Sequence, residues 1–124
     1  MTIVCVDDHP IMLRGHTESI KALFPNAKLG VFAGADGVLD FVEEHGCDIL
    51  VSEIELSGTN GITLAKKIKK INPTVNIIFL TVCDEREHAR EVLGIKPSGY
   101  LVKPAGKEQL ELELKNLRYA PCTV

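Results

Sequence analysis

Short runs of β-branched and apolar residues alternate along this chain with longer stretches whose apolar positions recur every three and four residues, and the alternation repeats about five times. That pattern leaves few folds open. Continuously apolar strands must be buried on both faces, which requires a parallel sheet covered by helices on each side.

Ile3 to Val6 is the first such run, and Pro10 follows where a first-turn helix proline is tolerated. A helix from there to about Leu23 turns Leu13, Thr17, Ile20 and Phe24 inward, and Pro25-Asn26 stops it. Lys28 to Phe32 is a second strand. Val38, Leu39, Phe41 and Val42 form the stripe of a second helix ending at His45-Gly46. Asp48 to Ile54 is the third strand, and a turn-rich loop, Ser57-Gly58-Thr59-Asn60-Gly61, leads to a third helix with Ile62, Ala65, Ile68 and Ile71 inward. Asn76 to Thr81 is the fourth strand. A polar helix from Glu85 to Leu93, capped by Asp84, is expected to pack through Ala89, Val92 and Leu93. Tyr100 to Val102 is a brief fifth strand, and a last helix from about Lys107 to Leu117 buries Leu110, Leu114 and Leu117, leaving Leu112 off the stripe. Right-handed crossovers gather the chemistry-bearing loops at the carboxyl ends of the strands.

Composition narrows the function. The 124 residues suit one domain, and 45% hydrophobic side chains suffice for a core. Fourteen basic against seventeen acidic residues give −3, the wrong sign for gripping a phosphate backbone. Cys5, Cys47, Cys83 and Cys122 stand far apart, so neither a zinc site nor a disulfide framework is indicated. No apolar run approaches the ~20 residues of a membrane span, and no leader pattern opens the chain, so a cytoplasmic protein is expected.

Asp7-Asp8 follows the first strand directly. Two carboxylates ~4 Å apart repel by roughly 4 kcal/mol at an effective dielectric near 20, so they need solvent, a proton or a cation. A hard ion such as Mg²⁺ fits, although a solvated helix N-terminus is the plain alternative. Glu53 ends the third strand, which the sheet places beside the first; Thr81 ends the fourth and Lys103-Pro104 the fifth. Carboxylates, a hydroxyl and a lysine at successive strand ends make a site for Mg²⁺ and a phosphoryl-like anion.

Val4-Cys5-Val6-Asp7-Asp8-His9-Pro10, Asp48 to Ile54, Gly58 and Gly61, Ile78-Phe79-Leu80-Thr81 and Gly99-Tyr100-Leu101-Val102-Lys103-Pro104 together resemble the receiver domain of two-component response regulators of the chemotaxis-regulator type. The match runs in order over nearly the whole chain. The resemblance implies a flavodoxin-like three-layer sandwich: a five-stranded parallel sheet of order 2-1-3-4-5 with helices on both faces. It implies a receiver over residues 1–118, with 119–124 a tail or the start of a linker. It implies that Asp7, Asp8, position 53 and the backbone carbonyl of Glu55 hold Mg²⁺, that Thr81 and Lys103 contact the phosphoryl group, and that Thr81 and Tyr100 are switch residues. It implies a sensor histidine kinase or phosphotransfer protein as partner, an output domain outside this chain, and a homodimer through helix four, strand five and helix five. It gives no role in direct nucleic-acid or membrane binding and no enzymatic activity.

This chain departs from the resemblance at the phosphoacceptor position, where the family has aspartate and this chain has Glu53. The extra methylene carries the carboxylate about a bond length toward the place a phosphoryl group would take, disturbing the in-line geometry of transfer. It could reach Lys103 or Thr81 and imitate phosphoaspartate with less charge. A Mg²⁺ site is weakened or emptied if Glu53 fills it. Ser57 where the family has proline loosens the following loop, and Val82 where it often has alanine narrows access. Two functions stay open: a phosphorelay receiver, and a pseudo-receiver used as a docking or dimerisation module independently of phosphorylation. A Mg²⁺-dependent phosphohydrolase needs a lid that the short first loop lacks, and an acidic first loop would repel a flavin phosphate. His9 beside the carboxylates could ligate metal, but the resemblance gives it no ligand role, which favours a place bordering the site or packed at the start of helix one. His16, His45 and His88 show no cluster, and Lys66-Lys67-Ile68-Lys69-Lys70 is a solvated helix face around an inward Ile68.

Overall fold

A computed structural model describes residues 1–81, 89–102, 107–117 and 119. Strands β1 (Thr2–Val6), β2 (Lys28–Phe32), β3 (Ile49–Glu53), β6 (Asn76–Thr81) and β7 (Gly99–Val102) form one parallel sheet in the order β2-β1-β3-β6-β7. A small antiparallel hairpin, β4 (Glu55–Leu56) and β5 (Thr59–Asn60), stands apart from it. Without the hairpin the order is the expected 2-1-3-4-5. Helices α1 (Pro10–Leu23), α2 (Val38–His45), α3 (Gly61–Ile71), α4 (Ala89–Ile95) and α5 (Lys107–Lys115) complete the chain. Among the described residues no helix is long and apolar enough to cross a membrane.

The sheet divides the interior. On one side Val4, Leu50, Ile62, Ile68, Ile77 and Phe79 pack with α2, α3 and α4; on the other Ile3, Ile20, Val51, Ile78, Leu110 and Leu114 pack with α1 and α5. Every residue of β3 and β6 is buried, as central strands enclosed by helices require. β2 is an edge strand, and its Gly30 leaves room for the Phe41 ring: a Cβ there would lie 2.8 Å from Phe41 Cε1. Phe41 meets Phe32 edge-on, 5.6 Å between centroids.

Local chemistry sets the helix ends. Pro10 opens α1 behind an extended His9, and α2 lies between left-handed Gly37 (φ 82°) and Gly46 (φ 78°). Asn60 caps α3, its Oδ1 accepting the Thr63 N–H at 2.8 Å.

Four sequence expectations are corrected. The loop after the third strand is partly a hairpin turning on Ser57-Gly58, with Gly58 at φ 78°. Ile54 leaves the third strand: its N–H goes to Leu80 O at 3.2 Å and its carbonyl accepts the Gly61 N–H at 2.6 Å. Ile71 is 38% exposed, since the buried face of α3 runs through Ile62, Leu64, Ala65 and Ile68 and the helix ends before another turn can cover it. Leu93 is 75% exposed, because α4 continues through Gly94 to bury Ile95 beside Val92. Asp84, Glu85 and His88 lie outside the described residues, as does the Ala89 side chain. In the last helix Leu110 and Leu114 are buried, Leu117 is half-buried and Leu112 is 66% exposed, as their spacing predicted.

Candidate functional site

Parallel register decides which residues meet. Val6 pairs with Ser52, Glu53 with Leu80, and Thr81 with Val102, so Asp7, Asp8, Glu53 and Thr81 emerge at one carboxyl edge of neighbouring strands. Val102, just before Lys103, reaches the same edge; Lys103 and Val82 lie outside the described residues. Tyr100 is half-buried opposite Phe79 in the register, against the core on the α2–α3–α4 side.

Burial separates the carboxylates. Asp7 is 1% exposed and Glu53 wholly buried, whereas the Asp8 side chain keeps 26% of its surface. Asp7 Oδ1 accepts the His9 backbone N–H at 2.9 Å, and His9 Nδ1 lies at the same distance. That imidazole nitrogen is also 3.3 Å from Asp8 Oδ1. On the other side, His16 Nδ1 stands 3.8 Å from Asp7 Oδ2. Ser57 leans over from the hairpin, its hydroxyl donating to Asp8 Oδ2 at 3.4 Å.

Glu53 turns back on its own chain. Its Oε1 accepts the N–H of Ile54 at 2.9 Å and that of Glu55 at 3.3 Å. The longer side chain thus shares the Ile54 N–H with Leu80 O and takes the Glu55 N–H of the turn that follows β3. Gly61 closes over this turn, and a Cβ there would lie 2.1 Å from the Glu53 carbonyl oxygen.

The residues fit a divalent cation. Asp7, Asp8 and His9 each offer a donor atom, all within 4.8 Å of one another. Asp8 Oδ1 is buried and makes no well-aligned hydrogen bond among the described residues, with His9 Nδ1 3.3 Å away, so a hard cation would satisfy it.

The sequence missed His16, which is buried in α1. Its spacing held the signal: it lies three residues after Leu13 and four before Ile20, on the helix's inward stripe. The lysines of α3 are mostly a solvated face, with Lys66 3.4 Å from Glu91; Lys69 departs from it by donating to the Ile95 carbonyl. Among the described thiols, Cys5 and Cys47 are both buried, and Cys83 and Cys122 lie outside the described residues.

A family model for the response regulator receiver domain matches residues 3–115. The oxygen regulatory protein NreC of Staphylococcus haemolyticus is 31% identical over 120 residues, covering 94% of this chain and 54% of that protein. The response regulator GacA of Pseudomonas aeruginosa is 22% identical over 108 residues, 87% of this chain and 50% of that one. The chain therefore spans about half the length of the curated relatives it matches. Among solved structures, a CheY-like receiver domain protein of Methanospirillum hungatei superposes with a TM-score of 0.82 at 23% identity, covering 92% of this chain and 90% of that one. The isolated receiver domain of Salmonella enterica RcsB, solved with phosphomimetic BeF3⁻, gives 0.79 at 26% identity, covering 93% and 86%.

Proposed function

Because this chain belongs to the response regulator receiver domain family, we propose that it is a receiver module whose signalling state is not set by phosphoryl transfer to position 53. Glu53 carries the reading: its carboxylate is wholly buried and holds the N–H groups of Ile54 and Glu55. A carboxylate folded into its own turn is not presented in line to a phosphodonor.

Receiver domains are signalling modules rather than enzymes, so the Mg²⁺-dependent phosphohydrolase has little support. Asp7 and Asp8, with the Glu55 carbonyl, are the residues that would hold a divalent cation, and Mg²⁺ bound there supplies positive charge beside an incoming anion. Thr81 and Lys103 are assigned to that anion, and Tyr100, beside Phe79 in the register, to reporting occupancy to the surface. An attached output domain and a cytoplasmic setting complete the proposal; a sensor kinase or phosphotransfer protein is a partner only in the phosphorelay reading. The twofold length of the curated relatives supports the output domain.

Intact-mass spectrometry after incubation with Mg²⁺ and a small phosphodonor tests this. The native chain should gain no adduct, and Glu53→Asp should gain one phosphoryl group. A stable adduct on native Glu53 would restore the phosphorelay reading.

A further inference from the structure

We propose that the Asn76 side chain is a latch for the chain that leaves α5: it ties the backbone of Tyr119 to the amino edge of the sheet, so that whatever follows starts from a docked strap rather than a free linker. Asn76 opens β6 and is 1% exposed. Its Oδ1 accepts the Tyr119 N–H at 2.7 Å, and its Nδ2 donates to the Tyr119 carbonyl at 2.8 Å. One side-chain amide thus holds both backbone groups of one residue, as a neighbouring strand would. The Ser98 hydroxyl donates to the same Oδ1 at 3.0 Å, and Nδ2 also reaches the Asp48 carbonyl at 3.3 Å, which fixes the amide from two further sides.

A buried amide at the head of an otherwise apolar strand costs stability unless its donors and acceptor are used. The plain alternative is that Asn76 only satisfies itself against its neighbours in the sheet. Its two shortest side-chain bonds go elsewhere, to a residue 43 positions later in the chain, while the contact to Asp48 beside β3 is the longest. Aspartate in its place would lack the donor, and an apolar residue would lack both groups. Parallel topology then sets where the strap lies. Asn76 is at the amino end of β6 and Thr81 at its carboxyl end, so Tyr119 is bound at the edge away from Glu53 and the acidic site. The folded unit therefore reaches past the boundary expected at residue 118. What the strap carries rests on the reading of an attached output domain; the latch itself is tested on this chain alone.

Hydrogen exchange of the full chain, followed by NMR, is the test. The Tyr119 N–H should exchange slowly in the native chain. Asn76→Ala should quicken it by about tenfold or more, as the loss of buried hydrogen bonds does to a local opening, and by a larger factor than the Ile78 and Leu80 amides inside β6, which report the whole fold. Trypsin should cut the Arg118–Tyr119 bond faster in the same variant. Tyr119→Pro removes the N–H without touching the sheet, and covers the case in which Asn76→Ala does not fold: the Asn76 side-chain NH₂ protons should then shift and exchange faster than in the native chain. A Tyr119 amide that exchanges at the unstructured rate in the native chain, or Asn76 NH₂ resonances unmoved by Tyr119→Pro, overturns the proposal. So does a Tyr119 amide that quickens no more than the β6 amides in Asn76→Ala, which would make Asn76 a residue of the sheet alone. None of these readings needs an output domain, so its absence would strike the earlier proposal and leave the latch standing.

Discussion

Gly61 has nowhere to put a side chain. A Cβ would lie 2.1 Å from the Glu53 carbonyl oxygen and 3.0 Å from Ser52 Oγ, and both belong to the strand end that carries the site. Gly61→Ala should therefore cost about 2–4 kcal/mol in urea unfolding, because backbone must move. Gly99 is the control. Its Cβ would meet Glu113 Oε2 at 2.5 Å, the far end of a flexible side chain, so Gly99→Ala should stay within about 1 kcal/mol of the native chain. Cys47 gives a pH signature. Burial, reinforced by the neighbouring Asp48 charge, pushes its thiol from 9.0 up to about 12. The folded thiol stays protonated where the unfolded one has ionised, so its contribution is intact below pH 9 and is lost as pH rises toward 12. Relative to Cys47→Ala, the native chain should lose stability above pH 9 by up to about 1.4 kcal/mol per pH unit, read from unfolding midpoints in matched buffers. Site residues were legible here to different degrees. Asp7, Asp8, Glu53 and Thr81 announced themselves by ending apolar runs, but the fold-back of Glu53 depends on which donors a turn leaves open, which composition does not encode.

At the scale of elements, α1 matches its expected span from Pro10 to Leu23, and the start of α3 shows what local chemistry adds. Asn60 precedes an apolar stripe and caps the helix, with Thr63 N–H 2.8 Å from its side chain. Asn60→Ala should cost about 1 kcal/mol, measured by the shift in urea midpoint at unchanged slope, because one orphan N–H loses its acceptor. The cap also joins the β4–β5 hairpin to the helix, so amide exchange in the first turn of α3 should quicken in the same variant. α4 was the poorest reading, and the reason is periodicity in a short, mostly polar segment. Seven residues give less than two turns, so Leu93 and Ile95 compete for the inward position. The expected helix stops at Leu93, yet α4 runs through Gly94 to Ile95, and Lys96 follows as a left-handed residue at φ 58° before Pro97. Burial of Ile95 against the α3 side outweighs the weak propensity of one glycine, a tertiary effect absent from a window of sequence.

Taken whole, the molecule encloses its sheet on both faces but not at both edges. β7 pairs only with β6 among the described strands, and Leu93, Val102 and Leu112, on the three elements bordering that edge, are 75%, 43% and 66% exposed. Scattered exposed apolar residues such as Ile11, Val31 and Ile71 are ordinary, but three on elements beside one open edge suit association with a second copy. Leu112 isolates the effect because it contributes little to the domain's own core. Leu112→Asp should leave the unfolding free energy within about 0.5 kcal/mol, since surface substitutions away from special features rarely do more. Sedimentation velocity of the native chain should show a concentration-dependent dimer, and the same variant should stay monomeric at every concentration tested. A native chain that is monomeric throughout, or a dimer indifferent to Leu112→Asp, would leave the β7 edge as plain surface and move any partner to another face.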